Sequence, residues 1–248
     1  MPTQFLHSFM SQRWEDLLLL HWPIDQEIVR DTLPDDLDVD LFNGQAWLSV
    51  VGFKLSGLRI SPIRWVPWPA FWEINLRTYV RDRKGNRGIW FYSLDSSDRF
   101  AVAGARMLYG LPYNLARTYG YSDSKRISFL SDRRFPHQKA KADFGATFPS
   151  SGKKARSVES GLDRFLLERY CFWSRRKFSD HSDSSQVKHR PYDAIRITES
   201  NYSGQLFQSQ GFSEPTEKPT VCHYCKGFDV QATAPPWLFS IAGQPNQR

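Results

Sequence analysis

Apolar and polar positions change over along this chain in short segments set off by Gly, Pro and Asn, a pattern of many strands and few helices. Trp14 to Trp22 is an apolar run that stops at Pro23 and reads as a buried strand or a turn of helix. Asp25 to Leu33 fits a short helix, opened by an acidic cap and closed before Pro34. Asp38 to Phe42 and Gln45 to Leu55 flank Asn43-Gly44, a strong two-residue hairpin signal because both central positions of a type I′ turn take positive φ. A second hairpin has arms Glu73 to Arg83 and Arg87 to Leu94, joined by Lys84-Gly85-Asn86. From Ser97 to Tyr109, small or apolar residues recur at helical spacing (Phe100, Ala101, Gly104, Ala105, Leu108), and Gly110 with Pro112 ends the helix.

Lys125 to Arg133 and Lys139 to Phe148 read as further strands. Val158 to Arg169 is the best later helix, with Leu162, Phe165 and Leu166 on one stripe. Tyr170 to Ser174, Gln186 to His189, Ala194 to Tyr202 and Val221 to Ala232 complete a strand-rich second half, while Ser179 to Ser185 and Gly211 to Thr220 are expected as surface loops. No repeat and no domain linker interrupts the chain, so residues 1–248 are expected to form one α+β domain on an antiparallel sheet or barrel, with two or three helices.

Composition narrows the class. Of 248 residues, 40% are apolar and 15% aromatic, enough to bury a core without metals or disulfides and too much for a disordered chain. No apolar run approaches the roughly 18 residues of a membrane span. The chain opens with no basic segment leading into an apolar one, and three Cys make no disulfide framework, so a cytoplasmic protein is expected.

The net charge of +7 is concentrated between Ser122 and Arg190, where 16 basic residues face 8 acidic ones. Lys125, Arg126, Arg133, Arg134, Lys139, Lys141, Lys153, Lys154 and Arg156 carry much of it. Such a run attracts anionic polymers, yet no helix-turn-helix, zinc-finger or RNA-motif pattern accompanies it, so a solvated face is expected in preference to nucleic acid binding.

Chemical motifs are sparse. Cys222-His223-Tyr224-Cys225 invites a zinc or redox reading, but a structural zinc needs four ligands, and residues three apart on a strand point to opposite faces. Two half-buried cysteines are the simpler expectation. His21, His189 and His223 are possible bases or ligands whose spacing requires no meeting. No phosphate loop, Gly-x-Ser-x-Gly elbow or His-Glu-x-x-His helix occurs, and neither a cofactor nor a metal is expected. Ile60 to Trp72, with Pro62, Trp65, Pro67, Trp68 and Pro69, reads as a stiff aromatic loop: a lid over a cavity, a contact with a second copy in a homo-oligomer, or a plug for one end of a barrel.

Several stretches recur together in order: His21-Trp22-Pro23-Ile24, Leu33-Pro34 leading to Asp38-Val39-Asp40, Asn43-Gly44-Gln45-Ala46-Trp47, Asn75-Leu76-Arg77-Thr78-Tyr79-Val80, Trp90-Phe91-Tyr92-Ser93-Leu94-Asp95, Ala105-Arg106, Gly110-Leu111-Pro112-Tyr113, Glu168-Arg169-Tyr170, and His223-Tyr224 before Phe228-Asp229-Val230. On these the chain resembles the YqjF-like family of uncharacterised bacterial proteins. That resemblance implies a fold like acetoacetate decarboxylase, a bent antiparallel sheet closing into a barrel or cone around a small-molecule cavity.

The decarboxylase carries a Gly-Arg-Glu-x-x-Gly-x-Pro-Lys-Lys run whose first lysine forms a Schiff base and whose second lowers the first one's pKa. The matching run here is Ala105-Arg106-Met107-Leu108-Tyr109-Gly110-Leu111-Pro112-Tyr113-Asn114. Tyr113 and Asn114 replace the lysines, and a phenol forms no imine. The expected function is therefore a small-molecule-binding barrel, lyase-like if catalytic, acting on a small carboxylate or carbonyl compound. In it Arg106 holds the anion and Tyr113 or Glu73 moves a proton. The alternative is a non-catalytic binding or interaction protein with a filled barrel.

The strand Glu73 to Val80 sharpens this expectation. Glu73, Asn75, Arg77 and Tyr79 share one face, and Ile74, Leu76, Thr78 and Val80 share the other. The absence of Lys from the polar row, and a glutamate implied by the decarboxylase resemblance, favour a polar row lining the lumen with the apolar row against outer helices. Glu73, Asn75 and Arg77 are then buried beside Arg106 and Tyr113, with Tyr79 and Asn114 as further ligand contacts and Glu73 paired to an arginine.

Overall fold

In a computed structural model, residues 8–133, 139–148, 160–176, 179–235 and 237–238 are described, together with the backbone of 156–157. Among them are fourteen strands: β1 (Met10–Ile24), β2 (Leu37–Val39), β3 (Ala46–Ile60), β4 (Phe71–Asp82), β5 (Arg87–Ser96), β6 (Tyr113–Ser122), β7 (Arg126–Arg133), β8 (Ala140–Thr147), β9 (Arg156–Ser157), β10 (Cys171–Ser174), β11 (Asp183–Lys188), β12 (Ala194–Arg196), β13 (Glu199–Gly204) and β14 (Val221–Ala232). Three helices accompany them: α1 (Gln26–Arg30), α2 (Arg99–Tyr109) and α3 (Gly161–Leu167). None of the described helices is long and apolar enough to cross a membrane.

The four consecutive leucines of β1 show how the layers are built. Leu17 and Leu19 enter one core, with Val51, Phe53 and Phe228. Leu18 and Leu20 enter another, with Val50, Leu76, Phe129 and Phe144. A strand covered on both faces has no polar positions to alternate with, hence the unbroken apolar run. Each such side chain contributes on the order of 1.5–3 kcal/mol by leaving water.

Hydrogen-bonded neighbours run β4-β3-β1-β14-β11-β10-β5, and β5 also pairs antiparallel with β4, so the path returns to its start. A second ladder, β6-β7-β8-β13, leaves β5 through the short parallel pairing of Leu94 to Ser96 with Tyr113 to Leu115. It packs over the face of the first that carries Leu18, Leu48, Val50, Ile74 and Leu76. The apolar row of β4 thus rests largely on strands, where outer helices were expected; only Val80 packs beside α1, through Val29. A buried ion pair ties the ladders together, Arg133 Nη2 lying 2.7 Å from an Asp95 carboxylate oxygen that is itself inaccessible.

Most predicted elements form. The Asn43-Gly44 turn adopts positive φ at both residues and closes a bridge between Phe42 and Gln45. Its first arm does not continue as a hairpin, however, because β2 pairs with Val80 to Asp82 of β4, past the end of the β3–β4 pairing. Helix α2 begins at Asp98, whose carboxylate accepts from the Phe100 and Ala101 amides, and ends at left-handed Gly110. Helix α3 is shorter than expected, set by a capping box between Ser160 and Asp163. Asp183 to Ser185, expected in a loop, belong to β11. The basic run is mixed: Lys125, Arg126, Lys139 and Lys141 are exposed, whereas Arg133 is buried against Asp95. Arg134, Lys153, Lys154 and the Arg156 side chain lie outside the described residues.

Contact between the ladders is close enough to require glycine. A Cβ at Gly52 would lie 2.7 Å from Cγ of the buried Phe129 ring. Gly52→Ala is therefore expected to lower unfolding stability by roughly 1–3 kcal/mol through overpacking. Chemical denaturation reads this directly, and a variant as stable as the parent would show that the two ladders are not in contact there.

Candidate functional site

The inner row of β4 is buried as predicted. Glu73, Asn75, Arg77 and Tyr79 are each 5% exposed or less. Glu73, Asn75 and Arg77 sit opposite Phe53, Val51 and Ser49 of β3, which carry the same face. Glu73 and Arg77 line a cavity of about 140 Å³, together with Tyr113, Arg169, Tyr192 and Gln12. Most of the rest of its wall is apolar, with the Tyr109 hydroxyl bonded to the Thr233 carbonyl and the Trp14 indole N–H unpartnered among the described residues. All five small or apolar positions that marked α2 in the sequence, Phe100, Ala101, Gly104, Ala105 and Leu108, lie along it. Trp68 of the aromatic loop also lines it and is fastened to the start of α2 by a 2.9 Å hydrogen bond from Nε1 to Asp98. Trp65, by contrast, is largely exposed.

Tyr113 begins β6, directly after the turn at Gly110. Its hydroxyl donates to Glu73 Oε2 at 2.5 Å, and the Asn75 amide donates weakly to Oε1 at 3.4 Å. Burial raises the Glu73 carboxyl to about 7, against these hydrogen bonds and the nearby Arg77 charge, which draw it down. Burial, then the carboxylate beside it, raises the Tyr113 phenol well above its ordinary range. Glu73 is thus not ion-paired with an arginine as expected. A carboxyl that is half protonated near neutral pH is satisfied by a neutral phenol, so no cation is needed.

Arg77 is buried with Nε and Nη2 both lacking a hydrogen-bond partner among the described residues. Arg169, which the sequence marked only within the Glu168-Arg169-Tyr170 stretch and not as a site residue, also reaches the wall. Its Nε donates to the Phe165 carbonyl and its Nη1 to Asp40 at 2.7 Å, it stacks over Phe165 and Tyr79, and its Nη2 has no partner among the described residues.

Four predicted contacts fall outside the cavity wall. Arg106 lies on the exposed side of α2, where its Nε donates to the Tyr113 carbonyl at 2.6 Å; it positions the strand and does not face the cavity. Asn114 points away from Tyr113, as neighbours on a strand must, and bonds to the Pro112 carbonyl. Tyr79 is buried beyond the wall, its hydroxyl bonded to Ser49 and the Leu166 carbonyl. Asn75 is buried beside Glu73 without lining the cavity.

Beyond Tyr79 a polar chain closes this end of the interior. Ser49 Oγ lies 2.6 Å from His21 Nδ1, His21 Nε2 lies 3.1 Å from His223 Nδ1, and His223 Nε2 lies 2.8 Å from Asp163 Oδ1. Burial holds both imidazoles below their ordinary range. Burial alone would raise Asp163, but hydrogen bonds from Ser160, His223 and Arg196 outweigh it and leave the carboxyl at about 2. His189 stands apart, stacked on Phe228. Cys222 and Cys225 enter opposite cores as free thiols, and among the described residues no group of three or more His, Cys, Asp and Glu is placed to hold a metal.

The arrangement combines a carboxyl that titrates near neutrality, a phenol bonded to it, and guanidinium donors facing an apolar chamber. Among the described residues, no lysine lines the cavity.

Comparison with known proteins agrees with this architecture. Among solved structures, an acetoacetate decarboxylase from Legionella pneumophila aligns over 95% of this chain and 91% of its own, with TM-score 0.60 and 11% identity. An acetoacetate decarboxylase-like enzyme from Sphingomonas wittichii RW1 aligns over 94% and 98%, with TM-score 0.61 and 15% identity. The enduracididine biosynthesis enzyme MppR, solved with pyruvate, aligns over 94% and 90%, with TM-score 0.57 and 10% identity. At these identities the likeness is one of fold. In sequence, the chain is 34% identical over 223 residues to the uncharacterized protein YqjF of Bacillus subtilis (strain 168), covering 89% of each. Residues 11–229 match the family DUF2071, described as an uncharacterized conserved protein, and the chain belongs to that family.

Proposed function

We propose that the returning ladder is a closed barrel or cone whose interior is a small-molecule site, and that the site carries out lyase-like acid–base chemistry on a small carboxylate or carbonyl compound. The observation that carries this reading is the Tyr113–Glu73 hydrogen bond in the wall of the cavity, with Arg77 beside it. Glu73 at about 7 takes up or releases a proton near neutral pH, where a general acid or base is most effective. Tyr113 holds the carboxylate form by donating to it. Arg77 takes the anion-holding role that the sequence suggested for Arg106. An MppR structure holding pyruvate supports a small oxo acid as the kind of ligand this fold accommodates. An open cavity also argues against an interior filled by its own side chains.

Tyr113 stands where an imine-forming lysine would be, so the chemistry runs without a covalent adduct. Borohydride treatment with acetoacetate should leave the protein mass unchanged, and a reduced adduct mapped to a lysine in this cavity would overturn the proposal.

Proton transfer is read by deuterium exchange alpha to the carbonyl of small oxo acids. Glu73→Gln should slow exchange by about 10²–10⁴-fold. Equal rates in parent and variant would remove Glu73 from the chemistry.

The same group makes a stability prediction. The unfolded carboxyl ionises near its model value of 4.5, whereas the folded one stays protonated up to about 7. Between those values the folded state binds more protons, so its stability falls as pH rises, by roughly 3 kcal/mol across the window. Below 4.5 the contribution is fully present; above 7 it is gone. The difference in unfolding free energy between parent and Glu73→Gln should follow this curve, and a pH-independent difference would contradict a raised Glu73.

A further inference from the structure

The polar and apolar parts of the cavity wall together specify a ligand class. Nε–H and Nη2–H of an arginine form one edge of the guanidinium fork, the edge that meets both oxygens of a carboxylate at once. In Arg77 both donors of that edge are buried and without a partner among the described residues, and the side chain lines the cavity. Arg169 Nη2 adds a third unpartnered donor to the same wall. Buried donors left empty are costly, and an anion that fills them recovers that cost on binding. Away from this end the wall is Trp14, Phe53, Leu55, Phe71 and Phe172, with the small residues of α2 opposite. Its volume of about 140 Å³ is close to the ~150 Å³ of an engineered apolar cavity that holds one benzene molecule.

We infer that the cavity takes a monocarboxylate with an apolar body the size of an aryl ring or a medium-length alkyl chain, its carboxylate on the open edge of Arg77 and its body among the aromatic residues. This rests on the reading of the cavity as a ligand site and names what fills it. Two-carbon acids leave the apolar wall empty. Dicarboxylates bring a second charge to an end of the wall that offers no cation, the unpartnered donor there being the neutral Trp14 Nε1–H, and with Glu73 nearby, so both classes bind poorly.

Calorimetric titration of the full chain with phenylacetate, hexanoate, acetate, succinate and benzyl alcohol tests this. Phenylacetate and hexanoate are expected to bind about 10- to 100-fold more tightly than acetate, succinate or the uncharged alcohol. Arg77→Lys, which keeps the charge but loses the paired donors, should remove most of the advantage of phenylacetate over benzyl alcohol. Ala105→Trp, on a half-buried helix position, should block all of them by filling the chamber. If acetate or succinate binds as tightly as phenylacetate, the ligand class is wrong while the site stands. If Ala105→Trp leaves phenylacetate binding unchanged, the ligand lies elsewhere and the inference falls. If none of the five binds, the reading of the cavity as a ligand site fails with it.

Discussion

Burial of β1, β3 and β4 on both faces is the constraint from which the rest follows. One face of these strands is sealed by the second ladder through Leu18, Leu20, Val50, Leu76, Phe129 and Phe144. The other turns inward, where water is largely excluded, and so every polar group on it must find a protein partner or wait for a ligand. Ser49 and Tyr79 find each other and His21; Glu73 finds Tyr113 and Asn75. Arg77, between these two groups in register, finds none among the described residues for two of its donors. The same rule that makes the closed end a continuous polar chain leaves the open end with unfilled guanidinium edges.

The two ends are held differently. At the closed end, Asp163 anchors the histidines and is itself fixed by the α3 capping box and by Arg196, so a helix start, a buried imidazole pair and a strand are locked as one unit. At the cavity end the cover is α2, whose inward stripe of Ala101, Gly104 and Ala105 is small and whose bond to Trp68 ties it to the aromatic loop. Small residues there keep the helix from filling the chamber. A stripe that looked like ordinary core-facing periodicity in the sequence therefore serves as a cavity wall, with Phe100 at its more exposed edge.

Legibility in the sequence followed the range of the interaction. The hairpin of β4 and β5, the cap of α1 and the span of α2 are local, and their signals sit within a few residues. The burial of Glu73, Asn75 and Arg77 was readable from alternation and from the missing lysines. Strand β6 was not, because its Arg117, Tyr119 and Tyr121 face outward and give no continuous apolar run. Arg169 finds Asp40 across 129 positions and His21 finds His223 across 202, and no spacing within the chain announces such pairs. Arg106 was misplaced for a geometric reason. Motif order puts it seven residues before Tyr113, but the left-handed turn at Gly110 lets helix and strand present those two side chains to different sides of the wall.

Replacing lysine by tyrosine at position 113 changes more than the loss of an imine. A lysine there would meet Glu73 as a cation, hold it ionised, and leave the carboxylate as a fixed counter-charge. A phenol offers Glu73 a single hydrogen bond and no charge, so desolvation dominates and the carboxyl rises to about 7. Asn114 compounds the change, since it turns away from the cavity and brings no second charge to it. The positive charge in the wall is left to Arg77 and Arg169, neither of which forms imines or gives up its proton. The wall thereby separates two features that a lysine would combine: the positive charge sits on the arginines, and the titratable proton sits on the carboxyl–phenol pair.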